Sequence, residues 1–129
     1  MKKIIGTEKA PKAIGPYSQA VEINNTLYIS GQIPLDPATG EIVKGGIVEQ
    51  TEQVLKNIGI ILSSAGYNFS DVVKSTCMLT DLANFAAMNE IYAKYYTKDF
   101  PARSTFQASA LPRSVMVEID TIAVKKQEN

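Results

Sequence analysis

The sequence contains no histidine, and its one cysteine is Cys77. Without these ligands the chain cannot build the His/Cys zinc centres of nucleobase deaminases, and it cannot pair a serine or cysteine nucleophile with a histidine base. A single cysteine also permits no disulfide within the chain, which agrees with a reducing compartment. Any chemistry must therefore use carboxylates, arginine, tyrosine, hydroxyl groups, backbone groups and water, and we expect no metal site.

An excess of charge of one sign is also lacking. Lys and Arg number 13, as do Asp and Glu, so the formal net charge is zero. No net field therefore draws the chain to a nucleic-acid backbone or to anionic lipid, which makes a nucleic-acid partner unsupported.

Residues 1–5 lack the apolar run of a signal peptide, and no segment approaches membrane-spanning length. We therefore expect a cytoplasmic protein.

The 129 residues suit one domain over 1–129 with a mixture of helices and strands. Apolar residues recur at helical spacing from Ile47 to a stop at Gly66, and again after the N-cap residue Asp81. The turn residues Asn24-Asn25 predict a tight hairpin, and a polar tail covers 125–129. The stretches that predict strands are 3–5, 18–23, 26–30, 72–79, 104–109 and 115–124. This order predicts a two-layer α+β domain, with two helices on one face of a mixed sheet of about six strands.

The predicted strands carry apolar residues on both of their faces. In the last strand, Val117 and Ile119 alternate with Met116 and Ile122. Two helices cover only one face of the sheet, so the second apolar face is most simply buried by another subunit. The sequence therefore predicts a homo-oligomer.

Arg103 and Glu118 are the main candidates for a functional site. Pro101 fixes the backbone at the start of a strand, which places Arg103 at a rigid strand entrance. Glu118 lies between Val117 and Ile119, so its carboxylate belongs to a sheet, where burial or a specific partner is expected. We hypothesise that both face one pocket, in which the planar guanidinium binds a substrate carboxylate. The alternatives are a structural salt bridge for Arg103 and a solvent-facing position on an edge strand for Glu118.

Other candidate residues are individually unspecific. Tyr17 follows Gly15-Pro16 and either walls a pocket or packs at the surface. Gly31 lets the backbone turn sharply and present its N–H groups to a ligand, or else forms a plain turn at a strand end. By default, Asn89 lies on the polar face of the second helix and Cys77 is a small core residue.

Seven short stretches are specific when they are taken together. They are IGPYSQA at 14–20, ISGQIP at 29–34 with DPATG at 36–40, NEIY at 89–92, FPARST at 100–105, LP at 111–112 and VEI at 117–119. From near Thr7 to about Val124 the chain resembles the RidA family, also called the YjgF family. The resemblance implies a chorismate-mutase-like α+β fold, and a homotrimer with sites in the clefts between subunits.

The resemblance also implies an activity, that of a 2-iminobutanoate/2-iminopropanoate deaminase. Such an enzyme hydrolyses the enamine and imine intermediates released by pyridoxal-phosphate-dependent dehydratases, giving 2-oxo acids and ammonia, and it needs no cofactor. By this similarity Arg103 holds the substrate carboxylate, while the Thr105 backbone and Glu118 position the attacking water. Tyr17 lines the pocket across the interface. The rest of the wall comes from Ser30, Gly31 and Asn89.

The position of Thr105 departs from the family pattern, because many relatives have cysteine there; a thiol-based role is therefore not expected. Two other functions stay open. One is a single-strand endoribonuclease, against which stand the lack of a basic patch and of histidine. The other is a non-catalytic small-acid-binding regulator or chaperone-like protein.

Overall fold

The computed structural model describes residues 1–126; the last three residues of the predicted polar tail lie outside the described residues. The strands are β1 (Lys3–Ile5), β2 (Ala20–Ile23), β3 (Thr26–Gln32), β4 (Val72–Leu79), β5 (Ala102–Gln107) and β6 (Val117–Val124), and the α-helices are α1 (Ile47–Ser64) and α2 (Phe85–Tyr95). In this part of the chain the strands form one sheet in the order β1-β2-β3-β6-β4-β5. Strands β4 and β5 pair in parallel, and the other neighbours are antiparallel. The predicted α+β class and mixed sheet are confirmed.

The ends of the two helices follow from local signals. The N–H of Gly46 donates to the Glu49 carboxylate at 2.9 Å at the start of α1, and Gly66 takes a left-handed φ of 83° just after its end. Asp81 accepts a hydrogen bond from the N–H of Ala83 at 2.9 Å. This bond caps a short 3-10 turn, Leu82–Asn84, that leads into α2, so the predicted second helix begins as a tighter turn.

Both helices pack on one face of the sheet and enclose the core. Leu55 and Ile58 of α1 and Ile119 of β6 are fully buried there. Burying a side chain of this size stabilises the fold by about 1.5–3 kcal/mol. Cys77 on β4 is also fully buried, as predicted, and burial raises its pKa to about 11, so it stays a neutral core thiol.

The strand ends differ from prediction where side chains or bulges intervene. Asn24 and Asn25 both take left-handed φ values, 49° and 58°, which confirms the predicted hairpin turn. Strand β2 begins only at Ala20. The Gln19 side chain ties down the N-terminal segment, because it accepts from the N–H of Thr7 at 2.8 Å and donates to the Pro11 carbonyl at 2.8 Å. The other shifts are β3 ending at 32 instead of 30, β5 covering 102–107 instead of 104–109, and β6 starting at 117 instead of 115.

The face of the sheet opposite the helices is partly apolar and open in the single chain. Tyr28, Val73 and Phe106 are each 47% exposed on it, and Val124 at its border is 42% exposed. Neither helix of the 126 described residues covers this face, and neither has the length and hydrophobicity to cross a membrane. An exposed apolar surface of this kind is typical of an interface between subunits.

Candidate functional site

The side chain of Arg103 extends from β5 towards α2, on the helix-covered side of the sheet. It pairs in register with Ser75 of β4, which is fully buried beneath the helices. Its Cζ atom lies 4.8 Å from the ring centroid of Tyr92 and 5.4 Å from that of Phe85. A cation over aromatic faces is attracted electrostatically, by about 0.5–2 kcal/mol depending on exposure. The two rings of α2 therefore fix where the guanidinium lies.

No ion pair occupies this guanidinium in the described chain. Within residues 1–126 the recorded salt bridge joins Lys125 to Glu22 at 3.6 Å, and no carboxylate lies within 4.0 Å of Arg103. The salt-bridge alternative for Arg103 therefore does not hold for these residues. Its planar set of donors is available for an external carboxylate.

A cavity of about 420 Å³ opens beside the guanidinium. We call it the Arg103 half-site; its walls are Asn89, Tyr92, Ala93, Phe100, Pro101 and Arg103. The side-chain oxygen of Asn89 and the hydroxyl of Thr105 are buried, and neither has a hydrogen-bond partner among residues 1–126. Thr105 lies two positions after Arg103 on the same face of β5. Neither oxygen has accessible surface in the described chain.

Glu118 lies on the other face of the sheet. Its strand β6 is between β3 and β4, so the edge-strand alternative is wrong. Its neighbour Ile119 pairs with the buried Cys77, whereas Glu118 itself pairs with Met78 on the side away from the helices. Burial raises the pKa of the Glu118 carboxyl, and the nearby charge of Asp120 raises it further. A carboxylate in this setting is a stronger base than one in water.

A second cavity, of about 350 Å³, contains this carboxylate. We call it the Glu118 half-site; its walls are Tyr17, Ser30, Gly31, Ile33, Pro112 and Glu118. Strand β3 bulges here, because Ile29 pairs with Thr121 while Gln32 pairs with Ile119, which leaves Ser30 and Gly31 opposite one residue. The bulge brings Gly31 against the Glu118 side chain. A Cβ atom at residue 31 would lie 3.0 Å from Cδ and 3.2 Å from Cγ of Glu118.

Tyr17 and Ser30 are anchored by their hydroxyl groups. The Tyr17 hydroxyl accepts a hydrogen bond from the N–H of Ile14 at 3.3 Å, which leaves the ring, half-exposed, as a wall of the cavity. The Ser30 hydroxyl donates to the Ser18 carbonyl at 2.6 Å. Ser30 therefore contributes mainly shape to the half-site, because its proton is already committed.

The candidate residues thus form two groups that one chain keeps apart. Asn89, Arg103 and Thr105 lie on the helix side, whereas Glu118, Gly31 and their neighbours line the opposite cavity. The hypothesis that Arg103 and Glu118 face one pocket is wrong for the single chain, because the pairing of β5 with β4 and of β4 with β6 places them on opposite faces. The two cavities have no wall residue in common.

Sequence reasoning missed the rings that support Arg103. Phe85 and Tyr92 belong to the predicted apolar stripe of α2, and such a stripe predicts core residues. Their seven-residue spacing places both on the helix face that lies over β5, but the sequence does not say which strand lies beneath α2. Asp120 follows Glu118 by two residues in β6. Strand alternation therefore predicts that both side chains lie on the same face.

The described residues contain no group of three or more His, Cys, Asp or Glu side chains arranged to hold a metal ion. The chemistry available here is anion binding at Arg103 and proton transfer at Glu118. In the single chain these two groups lie in separate cavities.

Comparison with known proteins places this geometry in a family. The family model described as endoribonuclease L-PSP matches residues 7–125. The chain is 53% identical over 125 residues to the 2-iminobutanoate/2-iminopropanoate deaminase of Mus musculus, covering 97% of this chain and 93% of the mouse protein. It is 56% identical to the RutC family protein PH0854 of Pyrococcus horikoshii, covering 98% and 100% of the two chains.

Among solved structures, the E. coli TdcF protein with bound serine superposes with a TM-score of 0.92. It is 41% identical to this chain, and the match covers 96% of this chain and 99% of TdcF. Fold, sequence motifs and near-complete coverage agree: the chain belongs to the RidA family, whose family model carries the description endoribonuclease L-PSP.

Proposed function

We propose that this protein hydrolyses 2-imino acids, namely 2-iminopropanoate, 2-iminobutanoate and their enamine forms, to 2-oxo acids and ammonia. The observation that carries the proposal is an arginine without an ion pair in the described chain, fixed by two aromatic rings. A carboxylate of raised pKa supplies the second chemical element. The deaminase name of the mouse relative supports the same reaction. No cofactor enters this chemistry.

We further propose that the working form is a homotrimer in which the two half-sites come from neighbouring subunits. The half-sites lie on opposite faces of the sheet, and the face that carries Glu118 also exposes Tyr28, Val73 and Phe106. Burying that face against the edge strand β5 of a neighbour would remove apolar surface from water and bring the neighbour's Arg103 towards Glu118. A sedimentation mass of one chain at micromolar concentration would contradict this assembly.

In the assembled site Arg103 binds the substrate carboxylate with two parallel hydrogen bonds. The Phe85 and Tyr92 rings keep the guanidinium in place, so little conformational entropy is lost when the substrate binds. Asn89 lines the same cavity as the guanidinium, and a side-chain amide offers both an acceptor and N–H donors for the polar part of the substrate.

Glu118 and the Thr105 backbone position the attacking water. The water oxygen forms a bond to the imine carbon while Glu118 accepts one of its protons, which gives a carbinolamine. That proton then passes to the nitrogen, the C–N bond breaks, and the hydroxyl oxygen forms the C=O bond of the 2-oxo acid. The proton lost from the hydroxyl leaves with ammonia as ammonium, and Glu118 is again a carboxylate. A protonated imine is already electrophilic, so placement and one base are enough.

The direct test couples the protein to threonine dehydratase and threonine, with a scavenger that competes for the imine. We expect faster 2-oxobutanoate formation than with dehydratase alone. Replacing Arg103 with methionine removes the carboxylate partner and should lower the acceleration at least about 30-fold. Lys44→Met, which removes an exposed cation outside both half-sites, is the matched control and should change little. Equal acceleration by the Arg103 variant would reject the proposal.

RNA cleavage is a second candidate because the matching family model is described as an endoribonuclease. The zero net charge offers no electrostatic support for a polyanionic substrate. Purified protein that degrades single-stranded RNA, with loss of cleavage in Glu118→Gln, would favour this candidate. Binding of 2-oxo acids without any turnover would instead favour a regulator or chaperone-like role.

The single domain over 1–129 and the cytoplasmic location stay predictions from the sequence.

A further inference from the structure

We infer that a cavity adjoining the Glu118 half-site binds the substrate side chain and favours side chains that end in a negative charge. This side-chain cavity has a volume of about 240 Å³. It shares four wall residues with the Glu118 half-site: Tyr17, Gly31, Ile33 and Pro112. The inference rests on the proposed function, because it assumes that a 2-imino acid reacts beside Glu118.

The shared walls make the two cavities neighbours. Gly31 contacts the Glu118 side chain and also lines the side-chain cavity. A substrate carbon that reacts at Glu118 is therefore close to this second space, and the atoms beyond that carbon can enter it. A side chain of one or two carbons would leave the cavity to water.

The lining of the cavity defines the kind of side chain that fits. Ile14, Ile33 and Leu35 provide apolar walls for methylene groups. Lys12 and Arg113 are the charged residues of the wall, and none of the lining residues in the described chain is acidic. Apolar walls with cations and no acidic residue among them complement a flexible chain that ends in an anion.

Arg113 is exposed and makes one side-chain hydrogen bond within the described chain. Its Nη1 donates to the carbonyl of Gly40 at 3.1 Å, which ties the guanidinium to the turn at 36–40. Its backbone is left-handed, with φ of 55°, as is that of Ser114, with φ of 57°. Non-glycine residues seldom adopt this conformation, although the Asn24-Asn25 hairpin turn of this chain adopts it as well. The remaining N–H groups of the guanidinium can bind an anion.

The test compares two 2-oxo acid products of equal length. 2-Oxoadipate ends in a carboxylate where 2-oxohexanoate ends in a methyl group. Calorimetry on the assembled wild-type protein should show that 2-oxoadipate binds about three- to tenfold more tightly, because each partly exposed ion pair adds a modest increment. The preference should shrink as salt is raised. 2-Oxobutanoate, which does not reach the cavity, is the reference ligand.

Two variants, each on a different wall of the side-chain cavity, test whether its cations cause the preference for 2-oxoadipate. Arg113→Asn removes the guanidinium and keeps a residue that tolerates a left-handed backbone, so the turn is preserved. Lys12→Gln removes the other cation without touching that turn. Both should reduce the preference for 2-oxoadipate and leave the affinity for 2-oxobutanoate unchanged. Lys44→Gln, outside the cavity, should keep the preference.

The outcomes separate this inference from the proposed function. The inferred role of the side-chain cavity would be wrong if the wild type bound the two six-carbon acids equally well. It would also be wrong if the preference for 2-oxoadipate survived both Arg113→Asn and Lys12→Gln. If 2-oxobutanoate still binds and 2-iminobutanoate is still hydrolysed, the proposed function stands without it. If no 2-oxo acid binds and no imine is hydrolysed, the proposed function fails and the inference fails with it.

Discussion

Replacing Gly31 with alanine tests the placement of the Glu118 carboxylate by adding a single methyl group. The new Cβ would lie 3.0 Å from Cδ and 3.2 Å from Cγ of Glu118, and closer still to one carboxylate oxygen. Restoring ordinary contact requires the carboxylate oxygen to move by about 1 Å, a displacement that commonly costs about 10²-fold in rate. We therefore expect kcat/KM for imine hydrolysis to fall about 10²-fold.

The fold should tolerate this change. Gly31 does not have a left-handed φ, so alanine is compatible with its backbone, and the unfolding free energy should change by no more than about 1 kcal/mol. Gly6→Ala is the matched control, because its Cβ would meet no atom within 4 Å and its φ is also ordinary. The assay is the dehydratase-coupled rate together with thermal unfolding of both variants. A Gly31→Ala protein that is as active as Gly6→Ala would refute a catalytic role for this contact.

Two further predictions concern the charged groups of the site. Phe85→Leu removes one ring from Arg103, so KM should rise about two- to fivefold with kcat nearly unchanged, while Phe85→Tyr keeps the ring and should keep KM; a loss confined to kcat would contradict this role. Because burial and Asp120 raise the pKa of Glu118, the base becomes protonated at a higher pH than an ordinary carboxyl, and activity should fall with decreasing pH through that raised pKa. Asp120→Asn removes the nearby charge and should move the acid limb of the pH–rate profile to lower pH; an unmoved limb would assign it to another group.

Elements with strong local signals were predictable from sequence. The Asn24-Asn25 turn, α1 and β4 have the predicted positions, because turn residues, a regular apolar stripe and a β-branched run each act within a few residues of chain. The strand boundaries near 18–20 and 30–32 were not predictable. The later end of β3 follows from its bulge opposite β6, which depends on a partner strand distant in sequence.

The site was predictable in its residue types and not in its geometry. Pro101 does place Arg103 at the start of β5, and Glu118 does lie within a sheet. Whether the two side chains share a face depends on how β5 pairs with β4 and β4 with β6, and that register arises only in the tertiary structure. A shift of one residue in the register of either strand pair would place the two side chains on the same face of the sheet.

Arg103 of one subunit should work with Glu118 of another, and mixing two inactive variants tests this pairing most directly. Arg103→Met and Glu118→Gln protomers, co-refolded in equal amounts, would form mixed assemblies. If each site takes its arginine from one subunit and its glutamate from the next, about a quarter of the sites regain both groups, and activity returns to about a quarter of the wild-type level. Mixed assemblies that form, as shown by mass, and remain inactive would contradict a site shared between subunits.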